Sequence, residues 1–451
     1  MTRILFCTRR RHHRHFVPLL DELGRRGHEI VLAFPSPQKV RIKGILRNRP
    51  NITALTYDEV SAPRFADAVA LLRHLRDYGW YLSPEQEIAT YNRHRALEQL
   101  LETAGGGTIA ADPSWPDPPV QVDQSMRRRL DAELGGLDLA LPPDPGVVEL
   151  VHGQSPDVVL VSPLVLQGSH QTEVVKAARS LGVPSGFLVH SWDNLSNKGR
   201  VHVAPDKVYV WNDIQRREAV ELHGIPAENV VVTGATHWDP FFELAPSSTF
   251  EQFCAGHGFD PAEPIVLYLG STKNMSTDEP LLVDRWLAAV RSAPGRLARA
   301  NILVRPHPKE GRRWLGWRPS GERVAASSPD AADSQGLYDE LHHATAAVGL
   351  NTSAQIEASI LGTPVYSFFS GDLTLGQRGS LHFYYLLEEN GGAVTYAQTL
   401  QEHLGQLERG ITGDFDRERI SRFCEAFVRP RGLDLPVTPI LADEILALAG
   451  R

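Results

Sequence analysis

Residues 3–34 read RILFCTRRRHHRHFVPLLDELGRRGHEIVLAF, and the pattern of this stretch decides the fold class. The apolar run at 3–8 predicts a buried strand, and apolar side chains at helical spacing over 16–26 predict a helix that Gly27 ends. A second continuous apolar run follows at 29–34. Together they form a β-α-β unit, and continuous apolar strands indicate a parallel sheet that helices cover on both faces.

The same alternation continues along the chain at spacings of about 20 to 30 residues, which is typical of a doubly wound domain. Further strands are predicted at 157–162, 185–189, 207–210 and 230–233. A second series of strands is predicted at 265–269, 301–305, 346–350 and 363–368. The sequence therefore predicts two α/β domains, at residues 1–245 and 262–430.

The region between residues 40 and 150 is less regular. Helices are predicted at 71–80, 86–104 and 127–134, the last of them inside a loop rich in Gly, Pro and Asp at 105–146. Long loops in compact enzymes are often lids or substrate loops, and otherwise disordered. The secondary structure of this region is therefore the hardest to predict from the sequence.

Composition narrows the class of protein. The chain has 451 residues, 42% of them hydrophobic and 22% charged, and a net charge of −8, which argues against nucleic-acid binding because that depends on neutralising phosphates. We expect no signal peptide and no membrane span, since no apolar stretch approaches roughly 20 residues. Three widely spaced cysteines, Cys7, Cys254 and Cys424, predict a reduced, cytoplasmic protein. Basic clusters at 9–15 and 39–49 are compatible with contact with the inner face of a membrane.

Polar segments follow several predicted strands, and ligands of open α/β sheets bind beyond the carboxyl ends of the strands. In the first domain these segments are the cluster of arginines and histidines at 9–15, HSWDNLSNKG at 190–199 and TGATHWDP at 233–240. The second is either an Asx turn around a buried Trp or a wall of the binding site. The third predicts the exit from the first domain, with His237 as a further candidate for the site.

The second domain has four such segments: GSTKN at 270–274, VRPHPKE at 304–310, GLNTSAQIEASILGTPV at 349–365 and GDLTLGQRGSLH at 371–382. Glycine and hydroxyl residues after a strand offer backbone N–H groups to phosphate oxygens, as does the start of a helix. Two prolines hold His307 in its loop, for either a structural or a ligand-binding role. Gln377 is a candidate by its position after a strand.

Two of these patterns resemble motifs of GT-B glycosyltransferases that use nucleotide sugars. His15-x-x-Pro18 followed by RGHEI at 26–30 is similar to the family's opening G-H-x-x-P … R-G-H-E-V. The segment at 353–364 is similar to its donor-binding signature, S-x-x-x-E-A-x-x-x-G-x-P. The resemblance implies two Rossmann-like, doubly wound domains facing across a cleft, with a C-terminal helix at 431–451 that packs back on the first domain.

The resemblance implies that His15 is the general base that deprotonates the acceptor hydroxyl. A histidine at a helix N-terminus is kept neutral by the helix dipole, which suits that role. Arg14 stands where the family has glycine, so His13 and His12 are the alternatives. Asp193 is the acidic residue proposed to orient the base. The histidines can instead belong to a basic cluster whose arginines bind an anionic substrate.

The resemblance also implies a donor site for the nucleotide diphosphate in the second domain, where Glu357 would accept hydrogen bonds from the ribose hydroxyls. The residues assigned to this site are Gly270, Ser271, His307, Asn351, Thr352, Ser353, Glu357 and Gln377. No cofactor is expected beyond the nucleotide-linked co-substrate. No metal is expected either, because no D-x-D sequence follows a predicted strand.

These observations predict a metal-independent glycosyltransferase that moves a sugar from a nucleotide-sugar donor to a hydroxyl acceptor, such as a cell-envelope glycan, a lipid or a small molecule. The R-P-H-P segment also resembles polymer-forming glycerophosphotransferases, so a CDP-glycerol-type glycerophosphotransferase is one alternative. Another is a nucleotide-sugar 2-epimerase, which would need carboxylates as acid and base. The remaining alternative is a non-catalytic protein that binds a nucleotide or a glycan.

Overall fold

The computed structural model describes residues 1–9, 12–36, 46, 48–58, 65–105, 122–166, 169–328 and 333–450. Contacts divide the chain into two compact units. Unit 1 comprises Met1–Asp239 and Phe427–Arg451, and unit 2 comprises Pro240–Ala426. Each unit has a parallel sheet flanked by helices, which confirms the predicted α/β class.

Unit 1 has a seven-stranded sheet in the order β3-β2-β1-β4-β5-β6-β7 among its described residues. Its strands are β1 (Arg3–Thr8), β2 (Glu29–Ser36), β3 (Ile52–Asp58), β4 (Val158–Ser162), β5 (Ser185–Leu188), β6 (Lys207–Val210) and β7 (Val230–Val232). The interior strand β1 pairs on both sides, with Ile4 opposite Ile30 of β2 and Val158 of β4. All strand pairs run parallel, so the carboxyl ends of these strands share one edge of the sheet.

The helices of unit 1 cover both faces of that sheet. They are α1 (Val17–Arg25), α2 (Ala66–Tyr81), α3 (Thr90–Thr103), α4 (Gln124–Ala140), α5 (Pro145–Gln154), α6 (Gln171–Ser180), α7 (Asn194–Asn197), α8 (Asp213–Glu221) and, at the chain end, α17 (Val437–Leu448). On one face Phe6 packs with Leu19 of α1 and Ile445 of α17. On the other face Leu5 packs with Val174 of α6. Alternate residues of β1 are thus buried on opposite faces.

Unit 2 repeats this architecture with a six-stranded sheet in the order β10-β9-β8-β11-β12-β13 among its described residues. Its strands are β8 (Ile265–Leu269), β9 (Asn301–Arg305), β10 (Val324–Ala326), β11 (Ala346–Gly349), β12 (Val365–Phe368) and β13 (Val394–Ala397). Its helices are α9 (Asp239–Phe242), α10 (Phe250–His257), α11 (Glu279–Arg291), α12 (Ser334–His343), α13 (Ala354–Ile360), α14 (Leu381–Tyr384), α15 (Leu400–Ile411) and α16 (Arg417–Val428), with α9 and α16 each crossing a boundary between the units. Val266, Trp286 and Val348 belong to its buried core.

The structure corrects the prediction of a loop over 105–146. Residues 122–140 contain α4, which Asp123 caps by accepting hydrogen bonds from the backbone of Ser125 and Met126, and α5 begins at Pro145. Residues 106–121 lie outside the described part of the chain. The helix predicted at 127–134 was therefore too short, because the sequence around it carries few apolar residues to mark its ends.

The C-terminal helix α17 packs against α1 within unit 1. This helix begins at Val437. The carboxylate of Asp239 accepts hydrogen bonds from the backbone N–H groups of Val437 (3.1 Å) and Thr438 (2.6 Å), and it pairs with Arg429 at 2.7 Å. A tertiary carboxylate therefore caps the helix, in place of a local hydroxyl.

All three cysteines are buried and reduced. Within the described residues, no helix combines the length and the hydropathy that crossing a bilayer requires.

Candidate functional site

Unit 2 contains a pocket of about 280 Å³ at the carboxyl ends of β8 and β9 and the start of α13. It is lined by Gly270, Arg305, His307, Lys309, Asp333, Ser334, Thr352, Ser353 and Glu357, together with neighbouring apolar residues. The structure thus brings together five of the residues that the sequence assigned to the donor site. They are Gly270, His307, Thr352, Ser353 and Glu357.

His307 is held in one tautomer by its own loop. The backbone N–H of Lys309 donates to Nδ1 of His307 at 3.1 Å, so in the neutral ring the proton sits on Nε2. Burial, with a smaller contribution from the charge of Lys309, lowers the pKa of His307 to about 4. The ring is therefore neutral at pH 7 and offers one Nε2–H donor.

Gly270 permits a close approach of two loops in this pocket. Its N–H donates to the carbonyl of Arg305 at 2.8 Å. A Cβ at this position would lie 2.6 Å from the backbone nitrogen of His307 and 2.8 Å from the oxygen of Arg305. Glycine is therefore required for steric reasons, and it fixes the distance between the end of β8 and the His307 loop.

The segment before α13 presents backbone donors. Among the described residues, the N–H groups of Ser353 and Ala354 have no acceptor, whereas the N–H of Thr352 donates to Gln355 Oε1 at 3.1 Å. Ser353 is exposed and Glu357 is half-buried. With the Nε2–H of His307 and the ammonium of Lys309, this arrangement can bind an anionic oxygen such as that of a phosphate.

Three residues assigned to the donor site do not line this pocket, and their side chains have structural partners. Ser271 is fully buried, and both its N–H and its hydroxyl donate to Glu279, at 2.8 Å to Oε1 in each case. Gln377 is fully buried and donates to the carbonyl of Leu350 and the hydroxyl of Ser367. Asn351 is also buried, and its amide lies 3.4 Å from Ser380 Oγ. Their position after strands suggested ligand contacts. Instead, these side chains are buried and form hydrogen bonds with neighbouring segments of the protein.

Glu279 is the first residue of α11, and its carboxylate is enclosed beneath the Gly270 loop. Besides Ser271, it accepts a hydrogen bond from the hydroxyl of Tyr268 at 3.3 Å. Burial raises the pKa of Glu279 to about 7, although these donors and the charge of Arg313 act in the opposite direction. The support of the Gly270 loop therefore includes a carboxyl group that titrates near neutral pH.

Unit 1 has a second constellation, made of imidazole rings from three loops. His12 and His15 follow β1, His190 follows β5 and His237 follows β7. The ring centroids of His12 and His15 lie 4.5 and 5.2 Å from that of His190. The centroids of His15 and His237 lie 5.3 Å apart. We call these four residues the histidine cluster.

Tryptophans enclose one side of the histidine cluster. The ring of His237 lies 4.2 Å from that of Trp238 and 5.1 Å from that of Trp211, measured between centroids. The indole N–H of Trp211 donates to the carbonyl of Val189, which ties β6 to the end of β5. His190 is buried, whereas His12, His15 and His237 remain half-exposed, His237 with one side of its ring against the two tryptophans.

The enclosure keeps the inner imidazoles neutral. Burial, then the charges that His12 and His15 carry when protonated, holds the pKa of His190 well below its usual range. Burial and His15 have the same effect on the pKa of His237. These rings therefore have a lone pair available at neutral pH, which is the state that accepts a proton.

The structure places two other proposed catalytic residues differently from the sequence prediction. His13 is buried, and its ring lies against Phe34 of β2 at 5.7 Å between centroids. Asp193 forms an ion pair with Lys198 at 2.7 Å and accepts a hydrogen bond from the hydroxyl of Ser191. Its charge acts on His190, where it favours the protonated form. Asp193 is thus placed as the partner of Lys198 and a neighbour of His190.

Sequence reasoning missed several members of both constellations. His190 begins the quoted segment at 190–199 but was not assigned a role, and Trp211 directly follows β6, so the rule used for the other candidates could have identified both. Arg305 and Lys309 flank His307 in the same quoted segment. Asp333 and Ser334 begin α12 without a recognisable motif, and only the tertiary fold brings them to the pocket.

No three His, Cys, Asp or Glu side chains of the described residues are grouped to hold a metal ion. This statement includes the histidine cluster, whose rings pack against one another and against tryptophan.

No protein-family model matches the chain. A peroxynitrite isomerase from Paenarthrobacter aurescens (strain TC1) is 34% identical over 104 residues, which are 22% of this chain and 50% of that protein. The chain thus spans about half the length of this curated relative.

Similar solved structures cover nearly the whole chain. UDP-GlcNAc 2-epimerase from Neisseria meningitidis, bound to UDP-GlcNAc, has a TM-score of 0.51 at 14% identity, over 99% of this chain and 100% of that one. MnaA of S. aureus, solved with UDP, has a TM-score of 0.54 at 13% identity, over 99% and 98% of the two chains. A glycosyltransferase from Rickettsia africae ESF-5 has a TM-score of 0.53 at 12% identity, again over 99% and 98%. At these identities the likeness concerns the fold, and it shows that this chain has the GT-B fold found in both glycosyltransferases and UDP-GlcNAc 2-epimerases.

Proposed function

We propose that this protein is a metal-independent glycosyltransferase that moves a sugar from a nucleotide-sugar donor to a hydroxyl acceptor. Unit 2 binds the nucleotide diphosphate, and the histidine cluster of unit 1 supplies the base. The observation that carries the proposal is the histidine cluster, where imidazole rings from three loops meet after strands β1, β5 and β7.

The pocket of unit 2 supports binding of the donor diphosphate. The Nε2–H of His307 and the free N–H groups of Ser353 and Ala354 donate to phosphate oxygens, and Lys309 adds positive charge. Glu357, on the same pocket wall, accepts hydrogen bonds from the ribose hydroxyls. Two of the structures of similar fold named above were solved with UDP-GlcNAc or UDP, which is consistent with nucleotide binding.

His15 is the proposed base. It contacts both His190 and His237, and unlike His190 it remains half-exposed. Its imidazole takes the proton of the acceptor hydroxyl as the acceptor oxygen bonds to the anomeric carbon. The bond from that carbon to the diphosphate oxygen breaks, and the nucleoside diphosphate leaves with the electron pair. Donors around His307 stabilise the charge that develops on it.

Two carboxylates of unit 1, which follow β5 and β7, favour this proposal over a 2-epimerase. An epimerase would need carboxyl groups as acid and base, whereas Asp193 is paired with Lys198 and Asp239 with Arg429. The groups grouped together in unit 1 are imidazoles, which suit deprotonation of a hydroxyl.

Calorimetry with UDP, CDP, GDP and dTDP tests the donor half of the proposal. We expect one nucleotide to bind the wild-type protein and to bind His307→Ala more weakly. The matching nucleotide sugar is then incubated with a panel of hydroxyl acceptors, and the products are analysed by mass spectrometry. A glycosylated acceptor and free nucleoside diphosphate support the proposal. Failure of all four nucleotides to bind would overturn it, and a sugar epimerised at C2 would identify an epimerase.

A further inference from the structure

Unit 1 contains a cavity of about 230 Å³ that the proposed reaction does not use. Its wall comes from one side of α2, the segment before α5 and the segment before α6. Most of the lining is apolar, from Phe65, Val69, Ala70, Pro142, Pro143 and Pro145. Arg73 is the one cation among its described lining residues other than histidine.

Arg73 is held rigidly by two carboxylates. Its Nε and Nη2 donate to the two oxygens of Asp138 at 2.8 Å each, and Nη2 also donates to Glu173 at 2.5 Å. Asp138 is completely buried, and the Arg73 side chain is 12% exposed. This bidentate geometry fixes the plane of the guanidinium group.

The third nitrogen of Arg73 is not used in this network. Nη1 donates to no acceptor among the described residues, although Nε and Nη2 make three hydrogen bonds. Because Arg73 lines the cavity, this nitrogen provides oriented donors beside an apolar wall. Since Asp138 and Glu173 already hold the guanidinium in place, an oxygen from a ligand can accept a charge-assisted hydrogen bond from Nη1 without the cost of ordering the side chain.

The charges around the cavity indicate what kind of oxygen fits. Asp138 and Glu173 balance Arg73 and Lys176, whose Nζ lies 3.1 Å from Asp138. Burial lowers the pKa of His74, another lining residue, and thereby favours its neutral form. Among the described lining residues other than histidine, no positive charge is left over to compensate for an anion, and Asp144 adds a further carboxylate.

We propose that this cavity binds an uncharged, mainly apolar molecule through one carbonyl oxygen that accepts hydrogen bonds from Nη1 of Arg73. The apolar body lies against α2 and the prolines between α4 and α5. The site is independent of the donor pocket, and the proposal stands whether or not the glycosyltransferase assignment is correct.

Three probes of equal ring size test the chemistry of the ligand: 2-acetylnaphthalene, 2-isopropenylnaphthalene and 2-naphthoate. The first two have the same shape and differ in whether a carbonyl oxygen or a methylene group faces Arg73. Equilibrium dialysis against the full-length protein measures their affinities. We expect the ketone to bind about tenfold or more tightly than the hydrocarbon, since a hydrogen bond to a charged group is lost. We expect the carboxylate to bind more weakly than the ketone.

Two variants locate the binding. Ala70→Leu adds bulk to the cavity wall on a helix and should weaken both neutral probes at least about tenfold, whereas Ala132→Leu, on the exposed face of α4, should not. Arg73→Lys keeps the charge facing Asp138 but removes Nη1, so it should make the ketone and the hydrocarbon bind equally. If Arg73→Lys fails to fold, the probe series on the wild-type protein still decides the question.

The proposal would be overturned by any of three results. These are equal affinity of ketone and hydrocarbon for the wild type, tighter binding of naphthoate than of the ketone, and no effect of Ala70→Leu.

Discussion

Units 1 and 2 share a strand order but present different chemistry at the ends of their strands. Read from each unit's own first strand, both sheets begin 3-2-1-4-5-6, the order of dinucleotide-binding folds. Unit 1 places imidazole and indole rings beyond β1, β5, β6 and β7. Unit 2 places backbone amides, hydroxyls and a proline-held histidine beyond β8, β9 and β11. The comparison teaches that the sheet provides positions, whereas the loops determine the chemistry.

The histidines of the two units show the difference most clearly. His307 owes its tautomer to a hydrogen bond from its own loop, two residues away. His190 and His237 owe their neutral state to burial and to rings that are distant in sequence. In unit 2 a hydrogen bond within one loop leaves His307 with an Nε2–H that can donate. In unit 1 tertiary packing keeps His190 and His237 neutral, so that their rings can accept a proton.

The largest effect is expected from His15→Ala in unit 1. Removal of the base should lower turnover of the nucleotide sugar by about 10²–10⁴, while nucleotide affinity stays unchanged because that site belongs to unit 2. Steady-state kinetics and calorimetry measure the two quantities. His152→Ala, an exposed histidine of the same unit, is the control. A loss of nucleotide affinity with normal turnover would make His15 a phosphate ligand and would abolish the proposed division of roles.

Gly234→Ala tests the packing at the end of β7 in unit 1. Gly234 has φ +108°, and an added Cβ would lie 2.5 Å from Val437 Cγ2 and 2.9 Å from the oxygen of Val428. The strain and overlap should lower the free energy of unfolding by about 2–4 kcal/mol, as measured by denaturant titration. Gly153→Ala, in an open position of α5, should leave stability unchanged or raise it by up to about 1 kcal/mol. Equal stabilities of the two variants would contradict the close packing of Gly234 against Val428 and Val437.

Glu279→Gln tests whether the free energy of unfolding depends on the protonation of the Glu279 carboxyl group beneath the Gly270 loop. The pKa of Glu279 is raised from 4.5 to about 7, so the folded protein binds this proton more tightly than the unfolded chain. The resulting stabilisation is complete below pH 4.5 and is lost as the pH rises through about 7. It amounts to roughly 3 kcal/mol at about 1.4 kcal/mol per pKa unit.

Denaturant titrations between pH 4 and 8 measure this dependence. The wild type should lose stability relative to Glu279→Gln as the pH rises from about 4.5 to about 7, and the difference should then level off. A constant difference across this range would show that Glu279 does not titrate there.

The smallest effect is expected from Glu357→Ala in the unit 2 pocket. Loss of a charge-assisted hydrogen-bond pair to the ribose should weaken nucleotide binding by about 10- to 100-fold. Calorimetry with the nucleotide that the wild type prefers measures the change. Glu322→Ala, an exposed carboxylate of the same unit, provides the control. Unchanged affinity would remove Glu357 from the proposed site.

The strands that the sequence predicted and those that it missed differ in their place in the sheet. β1, β6, β8 and β9 were predicted with the bounds that the structure has, because they are continuous apolar runs buried on both faces. The missed strands β3, β10 and β13 are three of the four edge strands among the described residues, and the fourth, β7, was predicted because it is a continuous run of valines. An edge strand pairs on one side and is partly exposed, as along Ile52–Asp58, so it lacks the apolar run that marks an interior strand.

For the candidate sites, local sequence patterns were enough to identify the segments that follow strands, and the pattern at 353–364 was enough to group Ser353 and Glu357 with His307 and Gly270. Those are properties of short segments, because the carboxyl ends of parallel strands necessarily lie at one edge. Which side chains at that edge are accessible depends on tertiary packing. In the folded protein Ser271 is buried and hydrogen-bonds to Glu279, and Gln377 donates to the carbonyl of Leu350. The ring of His15 lies against those of His190 and His237. Accessibility and ring contacts depend on residues far apart in the chain, and no local pattern encodes them.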